Sequence, residues 1–200
     1  VRADGAYLVT GGLGGLGLQV ARWLVEQGAR HLVLLGRRGL PPRETWTAAQ
    51  PGEELARQVT MISQMEVAGA RVDVVSADAA DRDAMAALLA SFGAARPPLR
   101  GIVHAAAQMR AEPLDEMTDE ALAEVFAAKV TGAWLLHELS RELPLDFFVL
   151  FSSTTALIGS ARLGHYAAAN QFLDALGPHR RQAGLPALSV HWGTWDEMRA

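Results

Sequence analysis

Apolar stretches alternate along the chain with stretches whose apolar residues recur every three or four positions, a pattern that predicts strands alternating with helices. Six apolar stretches are expected to form buried strands, the fourth running into a turn of small residues: 6–9, 31–36, 71–77, 101–107, 145–151 and 186–191. Helical spacing is found at 18–26, 53–68, 79–95, 118–139 and 162–183. This order predicts an α/β fold, a doubly wound parallel sheet in a single domain over residues 1–200, with ligands at the carboxyl ends of the strands.

A run of glycines separates the first strand from the first helix. Residues 10–17 read Thr-Gly-Gly-Leu-Gly-Gly-Leu-Gly and contain Gly-x-Gly-x-x-Gly from Gly12 and Gly-x-x-x-Gly-x-Gly from Gly11. Glycine allows a tight turn and close approach of a phosphate, and the helix N-terminus presents N–H groups and a partial positive charge. The run predicts the phosphate site of a Rossmann-like fold. A glycine-rich turn without a ligand is the alternative.

Two arginines follow the second strand. Arg37 is the twentieth residue after Gly17, where a dinucleotide fold meets the adenosine ribose. Arg37 and Arg38 favour the 2′-phosphate of NADP through charge-assisted hydrogen bonds, whereas an acidic residue would favour NAD. A solvated basic turn is the alternative interpretation.

Further candidates lie at the ends of the third and fourth strands. Asp78 could bond the adenine amino group or cap the next helix, and both interpretations stay open. The small residues 105–107 would let the backbone lie against a cofactor, while His104 is expected to be a packed strand-end residue rather than a catalyst. Residues 41–52 predict a polar loop that is long enough to be an insertion.

Ser153 and Tyr166 are the candidates for carbonyl chemistry. Ser153 ends the fifth strand, Tyr166 follows 13 residues later on a helix, and Asn170 lies one turn further on the same face. A tyrosine hydroxyl can protonate a carbonyl oxygen as hydride reaches the carbonyl carbon, and a serine hydroxyl can hold that oxygen. The pKa of free tyrosine is about 10, and a nearby ammonium would lower it. Asn170 could orient that ammonium or carry a water relay.

Composition narrows the function classes. The chain has 200 residues, half of them hydrophobic, a net charge of −4 and no cysteine. The mild charge argues against a nucleic-acid partner, and the lack of cysteine excludes thiolate chemistry and agrees with a cytoplasmic location. The apolar runs are too short to span a membrane, and the six histidines show no metal-ligand spacing.

Several of these motifs together resemble the short-chain dehydrogenase/reductase superfamily, and within it the catalytic half of a ketoreductase domain from a modular type I polyketide synthase. The resemblance covers nearly the whole chain; its matching stretches are 10–17, 37–39, 103–107, 129–136, 151–153, 166–176 and 192–195. Most of the superfamily has lysine four residues after the tyrosine and asparagine on the earlier helix. Here Lys129 is on the earlier helix and Asn170 follows Tyr166, as in synthase ketoreductases.

The resemblance implies a set of site residues. The catalytic set would be Lys129, Ser153, Tyr166 and Asn170, with the Lys129 ammonium reaching the phenol oxygen and the nicotinamide ribose; a surface lysine is the alternative. The cofactor-binding set, which combines this resemblance with the patterns above, is Gly11, Gly12, Leu13, Gly14, Gly15, Leu16, Gly17, Arg37, Arg38, Asp78, Ala79, His104, Ala105, Ala106, Lys129, Tyr166, Trp192 and Gly193.

The chain also departs from the family pattern. Met109-Arg110-Ala111 stands where one stereochemical type carries Leu-Asp-Asp, and Ile158 stands where the other carries tryptophan, so neither marker predicts the product stereochemistry. Ala107 replaces a usual glycine, a small steric change. The resemblance also includes an upstream structural subdomain and a lid helix, so the chain is expected to be a piece of a longer synthase.

The resemblance implies NADPH-dependent reduction of a β-ketoacyl thioester on the phosphopantetheine of an acyl carrier protein, with neighbouring synthase domains as further partners. Two other functions compete with this prediction. The first is a structural scaffold that does not catalyse, against which the intact Tyr166 and glycine run argue. The second is a free-standing reductase of small ketones, against which the arrangement of Lys129 and Asn170 argues.

Overall fold

A six-stranded parallel sheet forms the centre of the protein. A computed structural model describes residues 1–46 and 52–193 of the chain, and the strand order is β3-β2-β1-β4-β5-β6. The strands are β1 (Ala6–Thr10), β2 (His31–Gly36), β3 (Arg71–Ser76), β4 (Leu99–His104), β5 (Phe147–Ser153) and β6 (Leu188–Trp192). The predicted doubly wound, Rossmann-like sheet is confirmed. Its order reverses at β1, so a ligand crevice is expected where β1 and β4 end.

Seven α-helices are found in the described ranges and cover the two faces of the sheet. They are α1 (Gly15–Glu26), α2 (Glu53–Val67), α3 (Arg82–Ala90), α4 (Asp119–Phe126), α5 (Gly132–Leu139), α6 (Thr155–Ile158) and α7 (Gly164–Gln182). A 3-10 turn, Arg43–Thr45, lies in the predicted long loop, of which residues 47–51 fall outside the described residues. The short helix α6 was not predicted.

Alternation along β1 explains why both faces of the sheet are covered. All five of its residues are buried. Leu8 belongs to the core that also contains Phe148, whereas Tyr7 and Val9 belong to the core on the opposite face with Leu18. Successive strand side chains point to opposite faces, so a strand that is apolar throughout requires a helical layer on each side.

The third helix is shorter than the predicted 79–95. Its start is fixed by Asp81, whose Oδ1 accepts hydrogen bonds from the N–H groups of Asp83 at 3.0 Å and Ala84 at 3.1 Å. Beyond Ala90 the chain leaves the helix, because Phe92 forms an isolated bridge with Arg96. Alanine content alone therefore overestimated the length of the helix.

The predicted helix 118–139 is interrupted by a π turn, Ala127–Thr131, between α4 and α5. Thr118 caps its start, since the hydroxyl oxygen accepts a hydrogen bond from the Ala121 N–H at 3.2 Å. At the end of the π turn the Gly132 N–H donates to the Ala127 carbonyl, five residues back. In a regular α-helix that N–H would donate to Ala128. The π turn includes Lys129 and thereby sets the direction of its side chain.

Candidate active site

A cleft of about 810 Å³ runs along the carboxyl edge of the sheet. Its walls come from the glycine run, residues 36–41 at the end of β2, the segment after β4, the end of β5 and the first turn of α7. All the strands are parallel, so their carboxyl ends, and the side chains that follow them, meet at this edge.

The glycine run forms one wall, with the backbone packed too closely for larger residues. Gly11 has a φ of +66°, and a Cβ there would lie 2.8 Å from the carbonyl carbon of Ala105. A Cβ on Gly17 would lie 2.2 Å from the Gly11 oxygen. Gly14, the N-cap of α1, has no side chain to bond the first turn of the helix. The N–H groups of that turn are therefore available to an anion.

The two arginines lie at the end of β2, and both are exposed. Arg37 and Arg38 line the cleft next to the glycine run, because β2, which they follow, pairs with β1. The Arg37 guanidinium donates to the side-chain oxygen of Gln108, and the Arg37 carbonyl accepts a hydrogen bond from the Ser76 hydroxyl at 3.0 Å. This end of the cleft is therefore cationic.

Asp78 does not cap α3. Its Oδ1 accepts a hydrogen bond from the Ala80 N–H at 2.9 Å, which holds the turn before the helix, and Asp81 is the capping residue. The capping alternative for Asp78 is thus wrong. The Asp78 side chain is exposed and lies outside the lining of the cleft.

Lys129 is the only lysine among the 18 basic side chains of the protein, and it is 2% exposed. Its Nζ donates to the Phe151 carbonyl at 2.7 Å and lies 5.3 Å from the centroid of the Tyr166 ring. Burial lowers the Lys129 pKa to about 8, although the charge of Asp174 acts in the opposite direction. The surface-lysine alternative is therefore wrong.

Tyr166 faces the cleft from the first turn of α7. Burial raises its pKa above the usual value, while hydrogen bonds with the Asn170 and Ser153 side chains lower it to a smaller extent. Burial sets the direction of this shift, so the expected lowering by an ammonium stays a prediction; the Lys129 amine lies over the ring face and donates to the Phe151 carbonyl. A raised pKa keeps the phenol protonated at neutral pH, as a proton donor requires.

Asn170 is fully buried one turn after Tyr166. Its amide nitrogen donates to the Tyr166 carbonyl at 2.7 Å. Ser153 lines the cleft, and its hydroxyl oxygen accepts a hydrogen bond from the Thr155 N–H at 3.2 Å. Ser153, Tyr166 and Lys129 of the predicted catalytic set thus line the cleft together, and Asn170 is buried one turn further along α7, outside its lining.

The predicted cofactor-binding residues divide into two groups. Those that line the cleft are Gly11, Leu13, Gly14, Gly15, Leu16, Gly17, Arg37, Arg38, Ala105, Lys129, Tyr166, Trp192 and Gly193. Those outside its lining are Gly12, Asp78, Ala79, His104 and Ala106. His104 is 0% exposed, as expected of a packed strand-end residue.

Four further residues of the cleft, Glu54, Leu55, Arg57 and Gln58, come from α2 and were not predicted. The Gln58 amide donates to the Leu13 carbonyl at 2.9 Å, and the Arg57 guanidinium packs against Gly15. Their positions depend on the packing of α2 beside α1, which no local pattern in the sequence indicates. Among the described residues, no group of three or more His, Cys, Asp or Glu side chains is placed to hold a metal ion.

A family model for the KR domain matches residues 5–197. The chain belongs to the KR domain family. The KR domain is 45% identical to a solved A1-type ketoreductase, with a TM-score of 0.85, over 98% of this chain and 38% of that one. It is 41% identical to a phenolphthiocerol/phthiocerol polyketide synthase protein of Mycobacterium tuberculosis, over 99% of this chain. It is 42% identical to 6-methylsalicylic acid synthase of Penicillium patulum, over 97% of this chain.

These similarities place the KR domain among oxidoreductases of the short-chain type that use a nicotinamide cofactor. The chain spans only 8% of the Mycobacterium protein and 11% of the Penicillium synthase. In the described ranges, no helix is both long enough and apolar enough to cross a membrane.

Burial of Lys129 predicts a distinctive pH dependence of stability. The folded pKa of about 8 lies below the ordinary 10.5, so between these values the unfolded chain binds more protons and wild-type stability rises with pH. Each pKa unit corresponds to about 1.4 kcal/mol. From pH 7 to pH 10 the free energy of unfolding of the wild type should therefore rise by about 2–3 kcal/mol more than that of Lys129→Met.

Urea unfolding of both proteins across this pH range measures the effect. Arg141→Met, which removes an exposed cation, is the control, and its difference from the wild type should stay flat with pH. A pH-independent difference between Lys129→Met and the wild type would show that the Lys129 pKa is not lowered in the folded chain.

Proposed function

We propose that this KR domain uses NADPH to reduce a β-ketoacyl group, carried as a thioester on the phosphopantetheine of an acyl carrier protein, to the β-hydroxyacyl thioester. The observation that carries the proposal is the content of the cleft. One end contains the glycine run and two exposed arginines, and the other contains Ser153, Tyr166 and Lys129. A scaffold domain would not need these side chains together.

The cleft suits a dinucleotide. The backbone around Gly11 and Gly17 leaves no room for a Cβ, as expected where a pyrophosphate must approach the main chain. Arg37 and Arg38 would hold the 2′-phosphate that distinguishes NADPH from NADH. Arg37 must exchange its hydrogen bond with Gln108 for that phosphate, and both partners are polar and accessible, so the exchange costs little.

The reaction needs one proton at the carbonyl oxygen. When bound, the nicotinamide supplies a hydride to the β-carbon. Ser153 holds the carbonyl oxygen by a hydrogen bond, and the Tyr166 hydroxyl gives its proton to that oxygen as the C=O bond becomes C–O–H. The phenolate left behind is stabilised by the neighbouring Lys129 ammonium, which is protonated at neutral pH because its pKa is about 8. Solvent then restores the phenol.

The proposed protein partners are inferred from the domain context of the similar proteins. Long polyketide synthase proteins contain the matching region as a small part of their length. We therefore propose as partners a carrier protein, neighbouring synthase domains and an upstream structural subdomain. Ala107 and Met109 after β4 and Thr155 of α6 line the cleft, and we place the entry of a tethered acyl chain beside them.

The double variant Arg37→Ala/Arg38→Ala tests the choice of cofactor. Charge-assisted hydrogen bonds contribute about 1.5–3 kcal/mol, so NADPH should bind at least about tenfold more weakly to the variant. NADH affinity should change by less than about twofold, because NADH has no 2′-phosphate. Fluorescence titration of both cofactors measures this, with Arg22→Ala on the outer face of α1 as the control. Equal affinity of the wild type for the two cofactors would contradict the assignment.

Tyr166→Phe tests the proton donor. Loss of a general acid should slow reduction of a short β-ketoacyl thioester by about 10²–10⁴-fold while NADPH affinity stays close to that of the wild type. The matched control is Tyr7→Phe, the same change at the other tyrosine, which is buried in the sheet and bonds the backbone of Arg2. Near-normal turnover by Tyr166→Phe would assign proton donation to another group.

A further inference from the structure

His104 occupies a position between the first strand and the π turn. It ends β4 and is 0% exposed, and its Nδ1 lies 2.8 Å from the Thr10 hydroxyl at the end of β1. On another side, a Cβ added to Gly132 would lie 3.3 Å from the His104 Cε1 atom. The imidazole is thus wedged against the residue at which the π turn becomes α5.

The π turn changes the backbone pairing next to His104. The Gly132 N–H donates to Ala127, so the Ala128 carbonyl loses the partner that an α-helix would provide. The His104 Nε2 is also buried and has no regular hydrogen-bond partner in the described part of the chain. The backbone oxygens of Ala128 and Lys129 act on the imidazole and raise its pKa, although burial and the Lys129 charge lower it further, to about 3.

These contacts favour one arrangement of the hydrogen atoms of the ring. A neutral imidazole has one N–H group. The Thr10 hydroxyl oxygen accepts a hydrogen bond from the Ala106 N–H at 3.4 Å, which leaves its own hydrogen to donate to the His104 Nδ1. The ring hydrogen is then on Nε2, the nitrogen without a regular partner among the described residues.

We propose that His104 is a positioning residue for Lys129: its imidazole accepts a hydrogen bond from Thr10 and supports the π turn through Nε2, and so holds the amine against the Phe151 carbonyl and the Tyr166 ring. The proposal rests on the function proposed above only for the use of Lys129 in the reaction. The support itself is a property of the folded chain. Without the His104 contact, the π turn can return to a regular α-helix, and the Lys129 amine can then reach water.

Two amide variants distinguish the role of the His104 Nδ1 atom from that of the Nε2 atom. In His104→Asn the side-chain amide reaches about as far as Nδ1 and keeps the contact with Thr10, whereas in His104→Gln it reaches about as far as Nε2 and keeps the contact with the π turn. His104→Gln removes the hydrogen bond with Thr10, and His104→Asn removes the side-chain atoms beside the π turn, so both should lower the melting temperature. Only the loss of the π-turn contact should release Lys129.

The readout is the Lys129 pKa, measured by NMR of protein labelled with ¹³C at the lysine Cε, without cofactor. Because the sequence has a single lysine, one signal titrates, and the Lys129→Arg spectrum assigns it. We expect a pKa near 8 in the wild type and in His104→Gln, and a pKa at least one unit higher in His104→Asn. Equal values in the two variants would overturn the proposal.

A second variant keeps the proposal testable if His104→Asn does not fold. In Gly132→Ala the added methyl group would press on the imidazole and on Ala79, whose Cβ lies 3.1 Å away. It should raise the Lys129 pKa in the same way, and an unchanged pKa would overturn the proposal. These titrations need no substrate, so a failure of the proposed reductase activity would leave their outcome interpretable.

Discussion

The contact between the Lys129 ammonium and the Phe151 carbonyl is the interaction on which the rest of the site depends. It joins the π turn to the end of β5, beside the strand end that provides Ser153, and it places the amine under the Tyr166 ring. A buried cation without partners is strongly unfavourable. The carbonyl, the ring face and the charge of Asp174 together offset this cost. Arginine would remain charged under the same burial, whereas lysine can release its proton.

Burial moves the two titrating groups of the site in opposite directions, because one is charged when protonated and the other when deprotonated. The Lys129 pKa falls to about 8 and the Tyr166 pKa rises above its usual value. At neutral pH both groups therefore hold their protons. A phenolate formed beside the ammonium is a stronger base than the amine, so the ammonium is suited to stabilise it or return a proton. Burial of these groups is thus unfavourable for folding, but it keeps both of them protonated and able to donate a proton.

The sequence predicted the parts of the site whose cause is local. The glycine run, the two arginines after β2 and the spacing of Ser153 and Tyr166 each follow from a strand end or a helix period. The π turn that sets the direction of Lys129 could not be predicted, because the local spacing predicts a continuous helix over 118–139. Arg57 and Gln58 reach the cleft only through the packing of α2 beside α1. Likewise, the length of α3 is set by Asp81 and by a bridge at Phe92 rather than by alanine content.

Transfer of a deuterium label tests most directly the central claim, that the cleft brings a nicotinamide and a β-ketoacyl group together in one fixed orientation. The KR domain would be incubated with a β-ketoacyl thioester and NADPH deuterated at C4 of the nicotinamide, on each face separately. Mass spectrometry of the β-hydroxyacyl product should show one deuterium on the β-carbon from one of the two labelled cofactors and none from the other. Label from both faces in equal amounts, or no reduced product although NADPH is bound, would contradict the account.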